Sequence, residues 1–340
     1  MGEQSTSRAE PTDGLRFEYE KHQPTSWNRQ AFGFEAVGIY RAILRQASVI
    51  ELVRNLLYRA YLAYMGEEGG RFIEYCFKEM DRLPTSPDIN EIQAVFLRTR
   101  EEFRKRKLYD LYLGSFRSAD LERTIQMAGR ENLVGTVVDV GAGDNGFGRL
   151  LRKRGITSRV VGIDVVRPYD VQVCESPALH FLLSGKSETL PKCAIRELLD
   201  GEPVQVVVNR FSLHHMTRAE QTRILEAEKE IMAPDGRIVV IEDAYSFNLT
   251  PQGYYNDKSL HRRMINLGSR ELVHLFIAGL DVAGHFWREK NQPFPWTYNS
   301  VEGWVSTFNR LGFSIMESRY FGLGLMPPVP TAVFVLSPLT

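Results

Sequence analysis

The sequence predicts an α/β fold: a doubly wound, mostly parallel sheet of seven strands with an antiparallel C-terminal strand, preceded by a helical N-terminal region. From residue 136 onward, short β-branched runs alternate with helical patterns, which is typical of βαβ units. Near-continuous valines in these runs indicate strands that are buried on both faces. The last two runs are joined by only about ten residues rich in Gly and Pro. Because that connection is too short for a helical crossover, we expect this pair to be antiparallel.

Length and composition are those of an ordinary globular protein. The chain has 340 residues, of which 43% are hydrophobic and 25% charged, and its 42 basic and 42 acidic residues cancel. This balance argues against nucleic acid or a membrane as a partner. The three cysteines lack C-x-x-C spacing, and the N-terminus lacks the apolar segment of a signal peptide. We therefore expect a cytoplasmic enzyme.

Residues 1–130 form the predicted helical N-terminal region, which serves either as a cap over the sheet or as the surface of a homodimer. Apolar residues recur at three-to-four spacing from Glu35 to Gly66. Gly69 and Gly70 are expected to break this helix, and a second helical stretch follows to Met80. Further helices are predicted over residues 88–107 and 118–128.

Residues 131–340 are predicted to form the catalytic domain around the sheet. Thr217 and Glu220 have the spacing of a capping box at the start of the helix before the fifth strand, and a tight turn at 234–236 leads into that strand. Residues 244–299 exceed the short connection that this fold needs, which predicts a lid insertion. The predicted strands are Thr136–Val140, Arg159–Asp164, Leu179–Leu182, Val204–Val208, Arg237–Glu242, Phe313–Tyr320 and Thr331–Ser337.

A glycine-rich loop follows the first predicted strand. Gly141, Gly143 and Gly146 have the spacing G-x-G-x-x-G, the fingerprint of a dinucleotide-binding turn. Asp139, two residues before the first glycine, would repel the pyrophosphate of NAD in this position. S-adenosylmethionine combines a nucleoside with a sulfonium and an ammonium group, so a carboxylate would attract it. The pattern favours S-adenosylmethionine, and an NAD-dependent oxidoreductase is the weaker alternative.

The segment VVDVGAGDNG resembles the first motif of class I S-adenosylmethionine-dependent methyltransferases. VVGIDVV, VQVVVNRFSLHHM and APDGRIVVIED are similar to the second, fourth and fifth strands of that family, in order. Asn145 stands where the family often has a third glycine, and Lys186 where an aspartate usually binds adenine. Asn tolerates a left-handed turn, while adenine would be bound by the backbone or by Ser187. The resemblance implies cofactor binding by Asp139, Gly141, Gly143, Asn145, Asp164, Val165, Ser187 and Asn209.

Methyl transfer is an in-line displacement, and an acceptor hydroxyl or ammonium must also lose a proton. The candidate proton acceptors are His214 and His215 after the fourth strand and Glu242 and Asp243 after the fifth. One of the two histidines is expected to point inward. The alternative is that both histidines occupy a loop that often reads Leu-His-His in this family, without a role in proton transfer, and that Asp243 is structural.

The predicted lid is rich in aromatic residues, which suggests a wall around a small, partly apolar molecule or a peptide. The candidate substrate contacts are Tyr245, Trp287, Trp296 and Tyr298. A helical hairpin whose aromatics pack on the sheet is the alternative. No carboxylate and histidine set has metal-ligand spacing, so no metal is expected. Methylation of an oxygen or nitrogen is the favoured function, and a protein of this fold that binds the cofactor without methyl transfer is the alternative.

Overall fold

The computed structural model describes residues 41–84, 86–165, 173–184, 189–253, 257–284 and 297–339. All seven predicted strands are present and form one mixed sheet in the order β3-β2-β1-β4-β5-β8-β7. A two-residue strand, β6, pairs with β5 outside this order. The strands are β1 (Gly135–Val140), β2 (Thr157–Asp164), β3 (Leu179–Leu183), β4 (Val204–Arg210), β5 (Met232–Tyr245), β6 (Asn299–Ser300), β7 (Phe313–Leu323) and β8 (Pro330–Pro338).

Helices cover both faces of this sheet and continue N-terminal to it. A short helical turn (Tyr109–Leu111) and a π-helical segment (Tyr112–Arg117) lead into the third helix. The longer helices are α1 (Ala47–Met80), α2 (Ile89–Lys105), α3 (Ser118–Ala128), α4 (Gly146–Lys153), α5 (Lys192–Leu198), α6 (Arg218–Ile231), α7 (Lys258–Ile265), α8 (Arg270–Gly284) and α9 (Val301–Arg310).

Strand directions confirm the predicted fold class. β1 pairs in parallel with β2 and β4, and β4 pairs in parallel with β5, whereas β8 is antiparallel to both β5 and β7. Asp139 lies opposite Gly162 of β2 and Val208 of β4. The loops that follow β1, β2, β4 and β5 therefore meet at one edge of the sheet, which is where a doubly wound sheet binds its ligands.

The predicted turn at 234–236 lies inside β5 rather than before it. The pairing of β4 with β5 shifts register there, from Val204 opposite Met232 to Val206 opposite Arg237. The turn is thus accommodated as an irregularity at the start of the strand. The capping box predicted for α6 is confirmed, because Thr217 and Glu220 each bond the backbone of the other.

The N-terminal helix breaks at a different glycine from the predicted one. α1 runs through Gly69 and Gly70 to Met80, and its non-helical residue is Gly66, with φ 68° and ψ −163°. That left-handed conformation is one that residues with a side chain rarely adopt. After the kink, a Cβ atom on Gly69 would lie 2.6 Å from the carbonyl oxygen of Tyr61, so Gly69 provides room for close packing.

The N-terminal helices share one hydrophobic core with the insertion after β5. Phe72 and Phe77 of α1 belong to the same buried cluster as Val273 and Phe276 of α8. This packing brings the insertion helices over the N-terminal helices. The boundary at residue 130, the lid role of residues 244–299 and the homodimer stay predictions. Within the described residues, no helix has both the length and the apolarity needed to cross a membrane.

Candidate active site

The glycine loop between β1 and α4 is held by hydrogen bonds from both sides. Asp164, at the end of β2, accepts a hydrogen bond from the Gly143 amide at 2.8 Å. Asn145 adopts a left-handed conformation, and its amide nitrogen donates to the carbonyl oxygens of Cys174 and His180, both at 2.9 Å. The Asn145 amide nitrogen is therefore committed to the segment around β3, while its buried Oδ1 atom has no hydrogen-bond partner among the described residues.

The loop suits a nucleoside ligand in shape and in chemistry. A Cβ atom on Gly143 would meet no described protein atom within 4 Å, so the loop leaves space at that point. The Asp164 carboxylate beside it can accept hydrogen bonds from two ribose hydroxyls, and Val165 follows it, 38% exposed. These residues fit the nucleoside half of S-adenosylmethionine. Ser187 and Lys186 lie outside the described residues.

Asp139 has cationic neighbours that the sequence does not reveal. Its carboxyl is 2% exposed, and burial raises its pKa to about 7, against the lowering effect of Arg210 and Arg117. Arg117 pairs with Asp144 of the glycine loop at 3.2 Å. Both arginines also pair with Asp120 of α3. Asp139 is thus one member of a charge network that joins the loop to the N-terminal helices, rather than an isolated carboxylate.

The Asn209 side chain is bonded to helix α6. Its amide nitrogen donates to both carboxyl oxygens of Glu228 on α6, at 2.9 and 3.0 Å, and both residues are fully buried. Burial raises the pKa of Glu228 to about 8, although the hydrogen bond from Asn209 lowers it. The predicted contact of Asn209 with the cofactor stays a prediction, and its buried Oδ1 atom has no hydrogen-bond partner among the described residues.

Glu242, near the end of β5, joins the turn after β4 to the histidine pair. One carboxyl oxygen accepts the amide hydrogens of Ser212 and Leu213, at 2.8 and 2.6 Å. The other contacts Nδ1 of His214 at 2.7 Å. His214 is 4% exposed whereas His215 is half-buried, which confirms that one of the two histidines points inward.

The charges around His214 determine its protonation. Burial by itself would lower the pKa of His214, but Glu242, Asp243 and Asp281 outweigh that effect and raise it to about 10. Asp243 is 3% exposed, and its Oδ1 atom has no hydrogen-bond partner among the described residues. Burial, reinforced by Glu242 and Asp281 and opposed by His214, raises the pKa of Asp243 to about 8.

The insertion after β5 contributes acidic and aromatic side chains to this cluster. Asp281 of α8 lies with its Oδ2 atom 3.9 Å from Nε2 of His214, and it accepts a hydrogen bond from the Tyr298 hydroxyl at 2.5 Å. The Tyr298 ring stacks against His214 with centroids 5.5 Å apart. Sequence reasoning missed Asp281, because it lies 67 positions after His214 and no motif surrounds it.

The other predicted substrate residues are only partly described. Tyr245, at the end of β5, is 2% exposed, and its hydroxyl lies 3.1 Å from Nε2 of His274 on α8. It therefore packs between the sheet edge and the insertion. Trp287 and Trp296 lie outside the described residues.

Three side chains of the cluster have donor atoms close enough for a metal ion to bridge. One ligand atom each from His214, His215 and Asp281 lies within 4.8 Å of the others. These residues come from the β4 end and from α8, so their sequence spacing shows no metal-binding pattern. The expectation that no metal is bound stays a prediction.

Comparison with known proteins identifies the family. A family model described as a methyltransferase domain matches residues 113–316, more than half of the chain. A curated relative, an uncharacterized methyltransferase of Geobacillus kaustophilus (strain HTA426), is 24% identical over 195 residues, which cover 55% of this chain and 76% of the relative. The match to the family model begins in the π-helical segment just before α3, so it includes Arg117 and the whole glycine loop.

Several solved structures are similar at low identity. Human N-acetylserotonin methyltransferase in complex with S-adenosylmethionine is 13% identical, with a TM-score of 0.42 over 83% of this chain and 70% of that chain. Mitomycin 7-O-methyltransferase is 14% identical, with a TM-score of 0.40 over 87% and 74%. A pericyclic reaction enzyme is 16% identical, with a TM-score of 0.37 over 64% of this chain. The present chain spans about half the length of that enzyme, 46%. The family model confirms the resemblance drawn from the sequence motifs: the chain belongs to the methyltransferase-domain family.

Proposed function

We propose that the protein transfers the methyl group of S-adenosylmethionine to an oxygen or nitrogen atom of a small, partly apolar molecule or a peptide. The observation that carries this proposal is the buried cluster of His214, Glu242, Asp243 and Asp281 beside Tyr298. It lies at the same sheet edge as the glycine loop, and the Tyr298 ring of the insertion stacks against His214. Polar groups that can orient an acceptor are thereby combined with an aromatic face.

Binding and alignment are the main contributions of the chain to the reaction. The cofactor, when bound, supplies a methyl group activated by a sulfonium, and the neutral thioether is the leaving group. We assign binding of the ribose hydroxyls to Asp164. The glycine loop lets the ligand approach the backbone closely. Tyr245 and Tyr298 lie where the insertion meets the sheet, and we assign the binding of the methyl acceptor to this region. Holding two reactants in line accounts for a large share of the rate in such displacements.

We assign removal of the acceptor proton to His215. His214 is protonated at neutral pH because its pKa is raised to about 10, so it has no lone pair to offer. Asp243, with a pKa of about 8, is mostly protonated at pH 7. His215 is half-buried, and its ring centroid lies 4.1 Å from that of His214. In this assignment His214 and Asp243, the other two predicted catalytic residues, position His215 and the acceptor.

A screen for product formation tests the proposal. Purified protein is incubated with S-adenosylmethionine and a panel of phenols, hydroxylated heterocycles, amines and short peptides, and S-adenosylhomocysteine is measured by mass spectrometry. Acceptor-dependent product is the expected result. Tight cofactor binding without product from any acceptor class would favour the alternative function, a cofactor-binding protein that does not transfer methyl groups.

A further inference from the structure

The turn after β4 carries a strained residue. Phe211 has φ 50°, a left-handed conformation that is a genuine outlier for a bulky aromatic residue. The strain is held in place by hydrogen bonds, since the Phe211 amide donates to the Ile241 carbonyl at 2.8 Å and the next two amides donate to Glu242. Strained residues of this kind persist where the surrounding structure fixes them, often at functional sites. Here the turn places Ser212 against the glycine loop.

Ser212 and Gly141 lie in direct contact across the two turns. A Cβ atom on Gly141 would lie 2.5 Å from Cβ of Ser212 and 3.4 Å from its hydroxyl oxygen. Gly141 also has φ 78°, so its lack of a side chain is required both by the backbone and by the approach of Ser212. The Ser212 side chain therefore packs directly against the glycine loop.

The Ser212 hydroxyl is buried without a hydrogen-bond partner. Its side chain is 7% exposed, and the oxygen has no partner among the described residues. Buried hydroxyls almost always form a hydrogen bond, because leaving one unpaired carries a desolvation cost. Its backbone amide is already bonded to Glu242, so the turn is fixed and only the side chain remains to be satisfied. A ligand in the glycine loop can supply that partner.

Strand order indicates which end of the cofactor would lie beside Ser212. β1 lies between β2 and β4, so Asp164 and Ser212 flank the glycine loop from opposite sides. The Asp164 carboxylate suits the ribose hydroxyls, which places the nucleoside on the β2 side. The amino-acid end then lies on the β4 side. We infer that Ser212 binds the amino-acid end of S-adenosylmethionine, its hydroxyl accepting from the α-ammonium or donating to the α-carboxylate.

This inference rests on the proposed function and adds a binding residue to it. The test compares two ligands by calorimetry on the full-length protein. S-adenosylhomocysteine has the amino-acid end, whereas 5′-methylthioadenosine has the same nucleoside and sulfur without it. Ser212→Ala should weaken S-adenosylhomocysteine binding about tenfold, since one hydrogen bond to a charged group is lost, and leave 5′-methylthioadenosine binding unchanged. Ser212→Cys keeps the shape with a weaker hydrogen-bonding atom, and should give a smaller loss for the first ligand only.

Ser246→Ala is the matched control. Ser246 is also buried, but its hydroxyl donates to Glu302 at 2.6 Å, so its loss should leave the ratio of the two affinities unchanged. Equal losses for both ligands in the Ser212 variants would mean a general disturbance of the loop and would overturn the inference. Unchanged affinities would also overturn it, since a water molecule would then satisfy the hydroxyl. A wild-type protein that binds neither ligand would instead refute the cofactor assignment itself.

Discussion

Asp243 is expected to reduce the stability of the folded protein, and its replacement should reveal this as a pH dependence. Its pKa is about 8 in the folded protein, against an ordinary value of 3.8. An acid with a raised pKa binds its proton more tightly in the folded state. Stability is therefore lost as the pH rises from about 3.8 to about 8, and the penalty is constant above that range.

The magnitude follows from the width of this range. Each pH unit between the two pKa values costs the folded protein about 1.4 kcal/mol at most, so the penalty grows by about 2–4 kcal/mol between pH 5 and pH 8. Asp243→Asn has the shape of the neutral acid and does not titrate. Its amide hydrogens add a pH-independent cost of about 1–3 kcal/mol if they stay unpaired. The variant should match or fall slightly below the wild type at pH 5 and exceed it at pH 8.

Urea denaturation followed by circular dichroism at pH 5, 6, 7 and 8 measures this difference. Asp235→Asn is the matched control, because Asp235 is exposed in the turn at the start of β5 and the same substitution there should give a difference near zero at every pH. Contributions of buried acids that do not interact with Asp243 cancel when variant and wild type are compared, whereas His214 responds to the substitution because Asp243 raises its pKa. A difference for Asp243→Asn that does not change with pH would refute the assigned protonation of this group.

Three other substitutions test the site. His215→Ala should lower kcat by about two to four orders of magnitude and leave S-adenosylhomocysteine affinity within about twofold, as steady-state kinetics and calorimetry would show; unchanged kcat contradicts the assignment. Glu242→Gln should destabilise the protein by about 3–5 kcal/mol at pH 7 by removing the partner of a buried charge, whereas Glu228→Gln, equally buried but mostly protonated, should be neutral or stabilising; equal urea midpoints for the two would refute this distinction. Arg117→Gln should weaken S-adenosylhomocysteine binding because Asp144 of the glycine loop loses its ion pair, and unchanged affinity would contradict that coupling.

Local patterns in the sequence were sufficient for the sheet and for the backbone of the loop. A strand buried on both faces needs apolar β-branched residues wherever it occurs, so the seven strands could be found from short runs. The left-handed turn at Asn145 likewise agrees with the residue type, since asparagine adopts this conformation more readily than most residues with a side chain. The helix break in α1 was placed wrongly because glycine permits both outcomes. Gly66 takes the kink, while Gly69 stays helical because the kinked chain needs room beside Tyr61.

Side-chain direction and long-range partners could not be read from the sequence. The position of Asn209 after β4 was predicted, yet its amide is bonded to Glu228, since strand residues near the end can face either layer of helices. The charge argument for Asp139 treated the carboxylate alone. Arg117, from a helix before the sheet, and Arg210 both act on it, so the preference for a cationic ligand depends on the whole network. Only the packed fold brings these residues together.

Glu242 of β5 bonds both to the turn beside the glycine loop and to the histidine pair. One of its oxygens holds the amides of the turn that places Ser212 against the glycine loop, and the other holds the inward histidine. A single buried carboxylate therefore fixes the turn that holds Ser212 and favours the protonated form of His214. Methyl transfer requires those two positions to be in register, because the methyl donor and the acceptor must lie in line. We propose that a carboxylate at the end of a central strand, fixed on both sides by its neighbours, provides that register.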